Sequence, residues 1–245
     1  MKISKLLILI TLLFSGQLLA DEHWGYEGTI SPEHWGDISK DFRTCKTGKH
    51  QSPINITKAK KLAPQPLIFH YELTPEEVIN NGHTVQVSVN SDDDYLTFNG
   101  THYLLKQFHF HTPSENQIEG NSFPLEVHFV HTDKEGKLLI LAVMLKEGKA
   151  NQEIEKAWRV VSKQQDKTIK IKSPFNIDKF LPSNKSYYHF EGSLTTPPCT
   201  EGVTWLVLKE SVTVSKEQVA KFEKLLGHTN NRPIQPLNDR QIDDE

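Results

Sequence analysis

The sequence lacks several features that would divide the chain or assign it to a special class. It has no basic stripe, and its formal net charge of −3 argues against nucleic acid as a partner. After residue 20, no stretch is apolar enough to span a membrane. No repeat, low-complexity linker or shift in composition interrupts the 245 residues. With 36% hydrophobic and 24% charged residues, the chain predicts one soluble globular domain.

The first twenty residues have the layout of a secretory signal peptide. Lys2 and Lys5 precede an apolar run over residues 6–14, and small and polar residues then lead to Ala20. The apolar run is too short to cross a bilayer. We therefore expect cleavage after Ala20, which leaves residues 21–245 as the mature domain.

Cysteine is scarce, with only Cys45 and Cys199 in the whole chain. In a reducing compartment these two residues would be buried or incidental thiols. After a secretory signal, an even pair favours one disulfide, because exported proteins fold under oxidising conditions. The sequence therefore predicts a disulfide that closes a long loop.

From residue 67 onward the chain alternates between strand patterns and turn signals. Residues 84–89 alternate strictly, Asn99-Gly100 is a hairpin signal, and residues 138–145 form a continuous apolar strand. Helical spacing of apolar residues occurs over 151–162 and 215–226. We predict a mainly β (α+β) fold, in which a large, twisted, mostly antiparallel central sheet carries a few peripheral helices.

One strand carries residues that could bind a metal. Successive side chains on a strand point to opposite faces, so Gln107, His109 and His111 share one face. Phe108 and Phe110 share the other face and are expected to be buried. Two imidazoles one strand step apart suit a metal ion on a rigid sheet. The same pattern also fits a half-buried strand that carries polar histidines, so it is not specific by itself.

A third histidine makes the metal hypothesis sharper. His128 lies on a second predicted strand and shares a face with Glu126. If the two strands are antiparallel neighbours, His128 comes to lie beside His109 and His111, and three imidazoles with one open position form a catalytic zinc site. Zinc-bound histidines usually donate their second ring N–H to an acceptor. Gln107 and Glu126 each stand two residues before a proposed ligand, where such an acceptor is needed.

A rival interpretation fits the first strand equally well. His109-x-His111-x3-Glu115 resembles the first metal motif of cupin barrels, in which the glutamate is itself a ligand of iron or manganese. The cupin pattern also requires a PxG turn shortly before the third histidine. Residues 123–127, which precede His128, lack that turn.

Several further motifs follow one another along the chain, and together they resemble the α-class carbonic anhydrases over nearly the whole mature sequence. Beyond the two histidine strands, the matching stretches are Trp24-Gly25-Tyr26, Gln51-Ser52-Pro53, Asn80-Asn81-Gly82-His83, Leu194-Thr195-Thr196-Pro197-Pro198 and Arg232-Pro233-x-Gln235-Pro236-Leu237. The signal peptide, a short linker before Glu115 and the cysteine pair resemble the secreted bacterial branch of that family.

The resemblance implies a zinc lyase that catalyses the reversible hydration of CO2 to bicarbonate and a proton. A zinc-bound hydroxide attacks CO2 in this family. His109, His111 and His128 match the Zn²⁺ ligands, and Gln107 and Glu126 match their hydrogen-bond partners. The residues that match catalytic groups are Thr195, which accepts a hydrogen bond from the hydroxide, Glu115, which accepts the Thr195 proton, and His83, the proton shuttle.

The resemblance also divides the substrate site into a dry side and a wet side. Residues that match the pocket for CO2 are Val130, Ile140, Leu194, Thr196, Val203 and Trp205, of which Thr196 borders the wet side. Residues that match the proton and water network are Tyr26, Asn81 and Gln86. The wall that holds CO2 must be apolar because CO2 has no charge and little polarity.

The resemblance further implies CO2 or bicarbonate and water as substrates, a bacterial periplasmic location and a homodimer. A second hypothesis keeps the scaffold but not the activity: a non-catalytic zinc-binding or adhesion protein. Loss of a zinc ligand, of Thr195 or of Glu115 would favour it, and the sequence retains all of them.

Overall fold

The structure is a computed structural model that describes residues 23–72, 75–89, 91–172 and 176–245. The signal peptide predicted for residues 1–20 lies outside these ranges. Strands dominate the described part of the chain, and they form one 13-stranded sheet and a separate two-stranded sheet. The helices lie at the margins of this arrangement.

Fifteen strands are found in the described residues. In chain order they are β1 (Asn55–Ile56), β2 (Lys60–Lys61), β3 (Ile68–His70), β4 (Pro75–Asn80), β5 (Val85–Val89), β6 (Tyr95–Phe98), β7 (Thr101–His111), β8 (Gln117–Ile118), β9 (Leu125–Thr132), β10 (Leu138–Glu147), β11 (Ile169–Lys170), β12 (Tyr187–Ser193), β13 (Glu201–Leu208), β14 (Val212–Val214) and β15 (Asp243–Asp244). The strands predicted over residues 84–89 and 138–145 correspond to β5 and β10.

The main sheet follows the order β11-β4-β5-β7-β9-β10-β13-β12-β15-β2, with β14 beside β10 and β6 linking β3 to β7. Its pairs from β4 to β10 are all antiparallel. The β10–β13, β10–β14 and β15–β2 pairs are parallel, so the sheet is mixed. The prediction of a single domain with a large, mostly antiparallel sheet is confirmed, and the structure adds that three strand pairs of this sheet are parallel.

Four α-helices lie in the described residues: α1 (Trp35–Ile38), α2 (Thr44–Thr47), α3 (Gln152–Val160) and α4 (Lys216–Leu226). The two longer ones begin at side-chain caps. The Asn151 side chain accepts from two N–H groups of α3, while Ser215 and Gln218 form a capping box on α4. Gly227 ends α4 with φ of 84°, a left-handed conformation that glycine adopts without strain. The two predicted helices are confirmed.

A β-bulge in β7 sets the faces of the strand that carries the histidines. The register against β9 shifts between Leu105 and Gln107, so Lys106 is an extra residue. Leu105 and Phe108 therefore both face the main core although they are three residues apart. Phe108 and Phe110 are fully buried in that core, as predicted for the back of the strand.

The opposite face of the sheet carries a second apolar cluster. A row of cross-strand neighbours runs from Val130 on β9 through Ile140 on β10 to Trp205 on β13. Val203 and Leu194 belong to the same cluster. Since β9 also carries His128, this apolar row begins on the same strand as one of the proposed metal ligands.

Cys45 and Cys199 form the predicted disulfide, with 5.0 Å between their Cα atoms. The bond joins α2 to the loop that precedes β13, and it packs in a small cluster with Trp35. A disulfide of this kind is typical of proteins in an extracellular or periplasmic compartment. No helix of the described residues is long and apolar enough to cross a membrane.

Candidate metal centre and active site

The pairing of β7 with β9 brings three histidines together. His109 stands directly opposite His128, and His111 follows two residues further along the same face of β7. Their ring centroids are 5.0 Å apart for His109 and His111, 5.3 Å for His109 and His128, and 4.5 Å for His111 and His128. One ring nitrogen from each residue lies within 4.8 Å of the other two. These nitrogens can therefore converge on a single ion.

In two of these histidines, one ring nitrogen contacts the acceptor that the sequence predicted, Gln107 or Glu126. Nδ1 of His109 lies 2.8 Å from Oε1 of Gln107. Nε2 of His128 lies 2.9 Å from Oε1 of Glu126. An amide oxygen or a carboxylate can only accept a hydrogen bond, so these ring nitrogens carry the protons. The lone pairs of His109 Nε2 and His128 Nδ1 are then free to bind a metal.

The hydrogen-bond partner of the third histidine, His111, was not predicted from the sequence. Nδ1 of His111 lies 2.7 Å from the backbone carbonyl oxygen of Asn230. Asn230 is fully buried, and its side chain accepts from the N–H of Thr112 and donates to the carbonyl oxygens of Phe110 and His83. No local signal could reveal this role, because 119 residues separate Asn230 from His111.

Glu126 is held by a dense set of hydrogen bonds of its own. Oε2 accepts from the backbone N–H groups of Glu115 and Asn116 at 2.7 and 2.9 Å, and Oε1 accepts from the Asn116 side chain at 2.8 Å. Burial raises the pKa of Glu126, and these hydrogen bonds oppose that rise. The carboxylate is therefore fixed in place beside His128.

The electrostatics of the three histidines favour metal binding. Burial lowers the pKa of His109, His111 and His128, since a charged ring would lose its hydration. The rings are thus held in the neutral form that binds metal. Nε2 of His111 is buried without a hydrogen-bond partner among the described residues, as expected of a nitrogen reserved for a metal. The donor set fits zinc.

Glu115 and Thr195 lie next to this centre. The carboxylate of Glu115 accepts a 2.8 Å hydrogen bond from the backbone N–H of Arg232 and a hydrogen bond from Thr195. Its Oε2 lies 3.4 Å from Nε2 of His111 and 3.9 Å from Nδ1 of His128. Burial raises the pKa of Glu115, and the two hydrogen bonds oppose the rise. A divalent cation nearby would favour the anionic form further.

A cavity of about 130 Å³ opens on the exposed side of the histidines. The residues expected on the wet side all line it, together with His109 and His111: Tyr26, Asn81, Gln86 and Thr196. A larger cavity of about 530 Å³ lies further out. His83 and Trp24 line both cavities, so His83 stands between the histidine centre and the outer space.

The ring of His83 stacks on the indole of Trp24, with 3.8 Å between centroids and 8° between planes. Burial lowers the pKa of His83, and His23 and His228 lower it further. The sequence did not indicate that the indole of Trp24 would stack on the His83 ring.

The expected apolar wall adjoins the histidines on their other side. The Trp205 ring lies 5.0 Å from the His128 ring in an edge-to-face arrangement, and its indole N–H donates to the carbonyl oxygen of Ser193. Ile140 and Val203 are almost fully buried, while Val130 and Leu194 are partly exposed. The centre therefore has one wet side and one dry side.

Comparisons with known proteins agree with this arrangement. A family model described as eukaryotic-type carbonic anhydrase matches residues 30–245. The carbonic anhydrase of Pectobacterium carotovorum is 46% identical over 235 residues, which cover 96% of each chain. That of Neisseria gonorrhoeae is 49% identical over 220 residues, covering 90% of this chain and 87% of the relative. The solved α-carbonic anhydrase of Thermovibrio ammonificans, in complex with sulfanilamide, has a TM-score of 0.88 and 47% identity, covering 91% of this chain and 99% of its own.

The chain belongs to the α-carbonic anhydrase family, and its relatives named carbonic anhydrase indicate an enzyme that acts on CO2 and water. The cupin alternative is wrong. The main sheet is an open path from β11 to β2 rather than a barrel, and the family match covers most of the chain.

The contact between Gln107 and His109 leads to a prediction about zinc affinity. Gln107→Ala removes the acceptor that orients the His109 ring, so the affinity for zinc should fall by about 10- to 100-fold. Gln86→Ala is the matched control, because Gln86 is the cross-strand neighbour of His109 but donates to Ser88 instead. Competition with a chromophoric chelator measures both affinities. Equal affinities in the two variants would contradict an orienting role for Gln107.

Proposed function

We propose that the protein catalyses the zinc-dependent, reversible hydration of CO2 to bicarbonate and a proton. The observation that carries this proposal is the convergence of three imidazoles, two buried and that of His109 half-buried, beside a hydrogen-bonded Glu115–Thr195 pair. His109, His111 and His128 would hold the ion. When bound, zinc lowers the pKa of a water molecule to about 7, the value known for carbonic anhydrases, so that hydroxide is available at neutral pH.

Thr195 and Glu115 orient the nucleophile. A bound divalent cation would favour the anionic form of Glu115, which can only accept a hydrogen bond, so the Thr195 hydroxyl donates to this carboxylate. The Thr195 oxygen is then left to accept a hydrogen bond from the attacking oxygen. That bond directs a lone pair of the nucleophile at the carbon of CO2, which is a positioning effect.

The two sides of the cavity keep substrate and water apart. CO2 rests against the apolar side, and water and the departing proton use the polar side. The residues of the apolar side are Val130, Ile140, Leu194, Val203 and Trp205. Those of the polar side are Tyr26, Asn81, Gln86 and Thr196.

His83 carries the proton from the site to buffer. It lies at the boundary of the inner and outer cavities, where a ring can accept a proton on one side and release it on the other. Its lowered pKa favours release at neutral pH. The stack on Trp24 holds the ring at this boundary.

The compartment and assembly of the protein also belong to this proposal. Residues 1–20 would direct export to the bacterial periplasm and be removed, leaving residues 21–245 as the catalytic domain. The disulfide between Cys45 and Cys199 supports an oxidising destination. The working assembly would be a homodimer.

A CO2 hydration assay tests the central proposal. A stopped-flow indicator assay should show rapid hydration that a zinc chelator abolishes and added zinc restores. His109→Ala should lose both zinc retention and activity because two imidazoles cannot replace the full ligand set. His70→Ala is the control, since the His70 side chain is 45% exposed and contacts only the surface residue Glu72 among described carboxylates. Hydration by zinc-free His109→Ala would contradict the proposal.

The shuttle role of His83 has its own test. His83→Ala should lower the turnover at low buffer concentration by about tenfold or more, because proton release then depends on bulk water. Added imidazole should restore it. His50→Ala, which removes a half-exposed histidine paired with Asp239, should behave like the wild-type protein. If imidazole gives no rescue, another group exports the proton.

A further inference from the structure

Arg232 is a buried cation whose side chain contacts only neutral groups in its hydrogen bonds. It is 2% exposed. The guanidinium donates to Oε1 of Gln51 at 2.9 Å and to the carbonyl oxygens of Ser52 and Cys45 at 2.8 and 2.9 Å. It also lies 5.8 Å from the centre of the Trp35 ring. Burying a charge costs several kcal/mol, and these three hydrogen bonds offset part of that cost while they fix the position of the side chain.

The backbone of Arg232 contacts the Glu115 carboxylate. Its N–H donates to Oε1 of Glu115 at 2.8 Å, while Thr195 hydrogen-bonds to the same carboxylate. Glu115 is therefore held between the Arg232 backbone and the Thr195 hydroxyl. Because the hydrogen bonds of the guanidinium fix the position of residue 232, they also fix its backbone N–H, which orients the Glu115 carboxylate.

A second route leads from the same guanidinium to the loop that carries Thr195. Gln51 accepts from Arg232 and donates through Nε2 to the carbonyl oxygen of Cys199 at 3.0 Å. The N–H of Cys199 donates to the carbonyl oxygen of Thr196 at 2.9 Å. Cys199 is bonded to Cys45, whose own carbonyl oxygen accepts from Arg232. Both ends of the disulfide are thus tied to one side chain.

We propose that Arg232 is a positioning residue that sets the separation of Glu115 and Thr195, acting on Glu115 through its backbone N–H and on the Thr195 loop through Gln51 and the disulfide. The inference rests on the proposed CO2 hydration. Its kinetic consequence is specific. Misplacing the pair disturbs the attack on CO2, which kcat/KM reports, whereas the release of the proton through His83 is left intact.

The test compares two buried arginines. Arg240 is 9% exposed, and its guanidinium, like that of Arg232, donates three hydrogen bonds, here to the backbone carbonyl oxygens of Leu237, Pro236 and Glu191. Among the described residues, its side chain makes no hydrogen bond or ion pair with Glu115, Thr195 or the disulfide. Arg232→Met and Arg240→Met therefore remove the same side chain and a similar number of hydrogen bonds, and both variants should be less stable than the wild-type protein.

The readout is kcat/KM for CO2 hydration, measured on folded protein of verified zinc content. Arg232→Met should lower kcat/KM by about 10- to 100-fold, with a smaller fall in kcat at low buffer concentration. Arg232→Lys should recover part of this loss, since the ammonium can still donate to three acceptors. Arg240→Met should keep kcat/KM within about twofold of wild type. If zinc-loaded Arg232→Met has the kcat/KM of Arg240→Met, Arg232 is only structural and the inference is overturned.

A milder variant covers the case in which Arg232→Met does not fold. Gln51→Leu cuts the link to Cys199 but leaves the guanidinium bonds to Ser52 and Cys45. It should lower kcat/KM and leave zinc content unchanged. An unchanged kcat/KM would overturn the claim that Arg232 acts on the Thr195 loop through Gln51 and Cys199. A wild-type protein that holds zinc but does not hydrate CO2 would refute the proposed function itself, which is a different outcome from either of these.

Discussion

The site depends on the backbone register between β7 and β9. That register places His109 opposite His128 and leaves His111 on the same face, so the hydrogen bonds of the sheet hold three imidazoles before any ion is present. The bulge at Lys106 is part of this arrangement, because it lets Leu105 and Phe108 both face the core while the histidines face the cavity. A one-residue slip would turn the histidines toward the core.

The second constraint is the cost of burying polar groups around these rings. Each imidazole must be neutral, and its outer N–H needs an acceptor that is itself fixed. Gln107, Glu126 and the Asn230 carbonyl supply those acceptors. Distant segments of the chain must therefore converge on β7 and β9. Arg232 connects Glu115, through its backbone N–H, with the disulfide, through the carbonyl oxygen of Cys45. The polar network and the metal centre form one unit.

The sequence allowed the fold class and the three histidines to be predicted because both follow from local periodicity. Alternation along a strand identifies Gln107 with His109, and the capping residue Ser215 marks the start of α4. The sequence did not indicate the bulge at Lys106, because one inserted residue leaves no compositional trace. Contacts over long sequence separations, such as that from His111 to Asn230, could not be predicted either. The acceptor is the backbone carbonyl of Asn230, and every residue of the chain has such a carbonyl, so only the folded structure identifies it.

The coordination of zinc in the purified protein tests the central claim most directly. X-ray absorption at the zinc edge should show one tightly bound ion with three nitrogen donors at about 2.0–2.1 Å and one oxygen donor from solvent. Anomalous diffraction should place that ion between His109, His111 and His128. A protein carboxylate in the coordination sphere, Glu115 above all, or a zinc ion bound elsewhere would contradict the account.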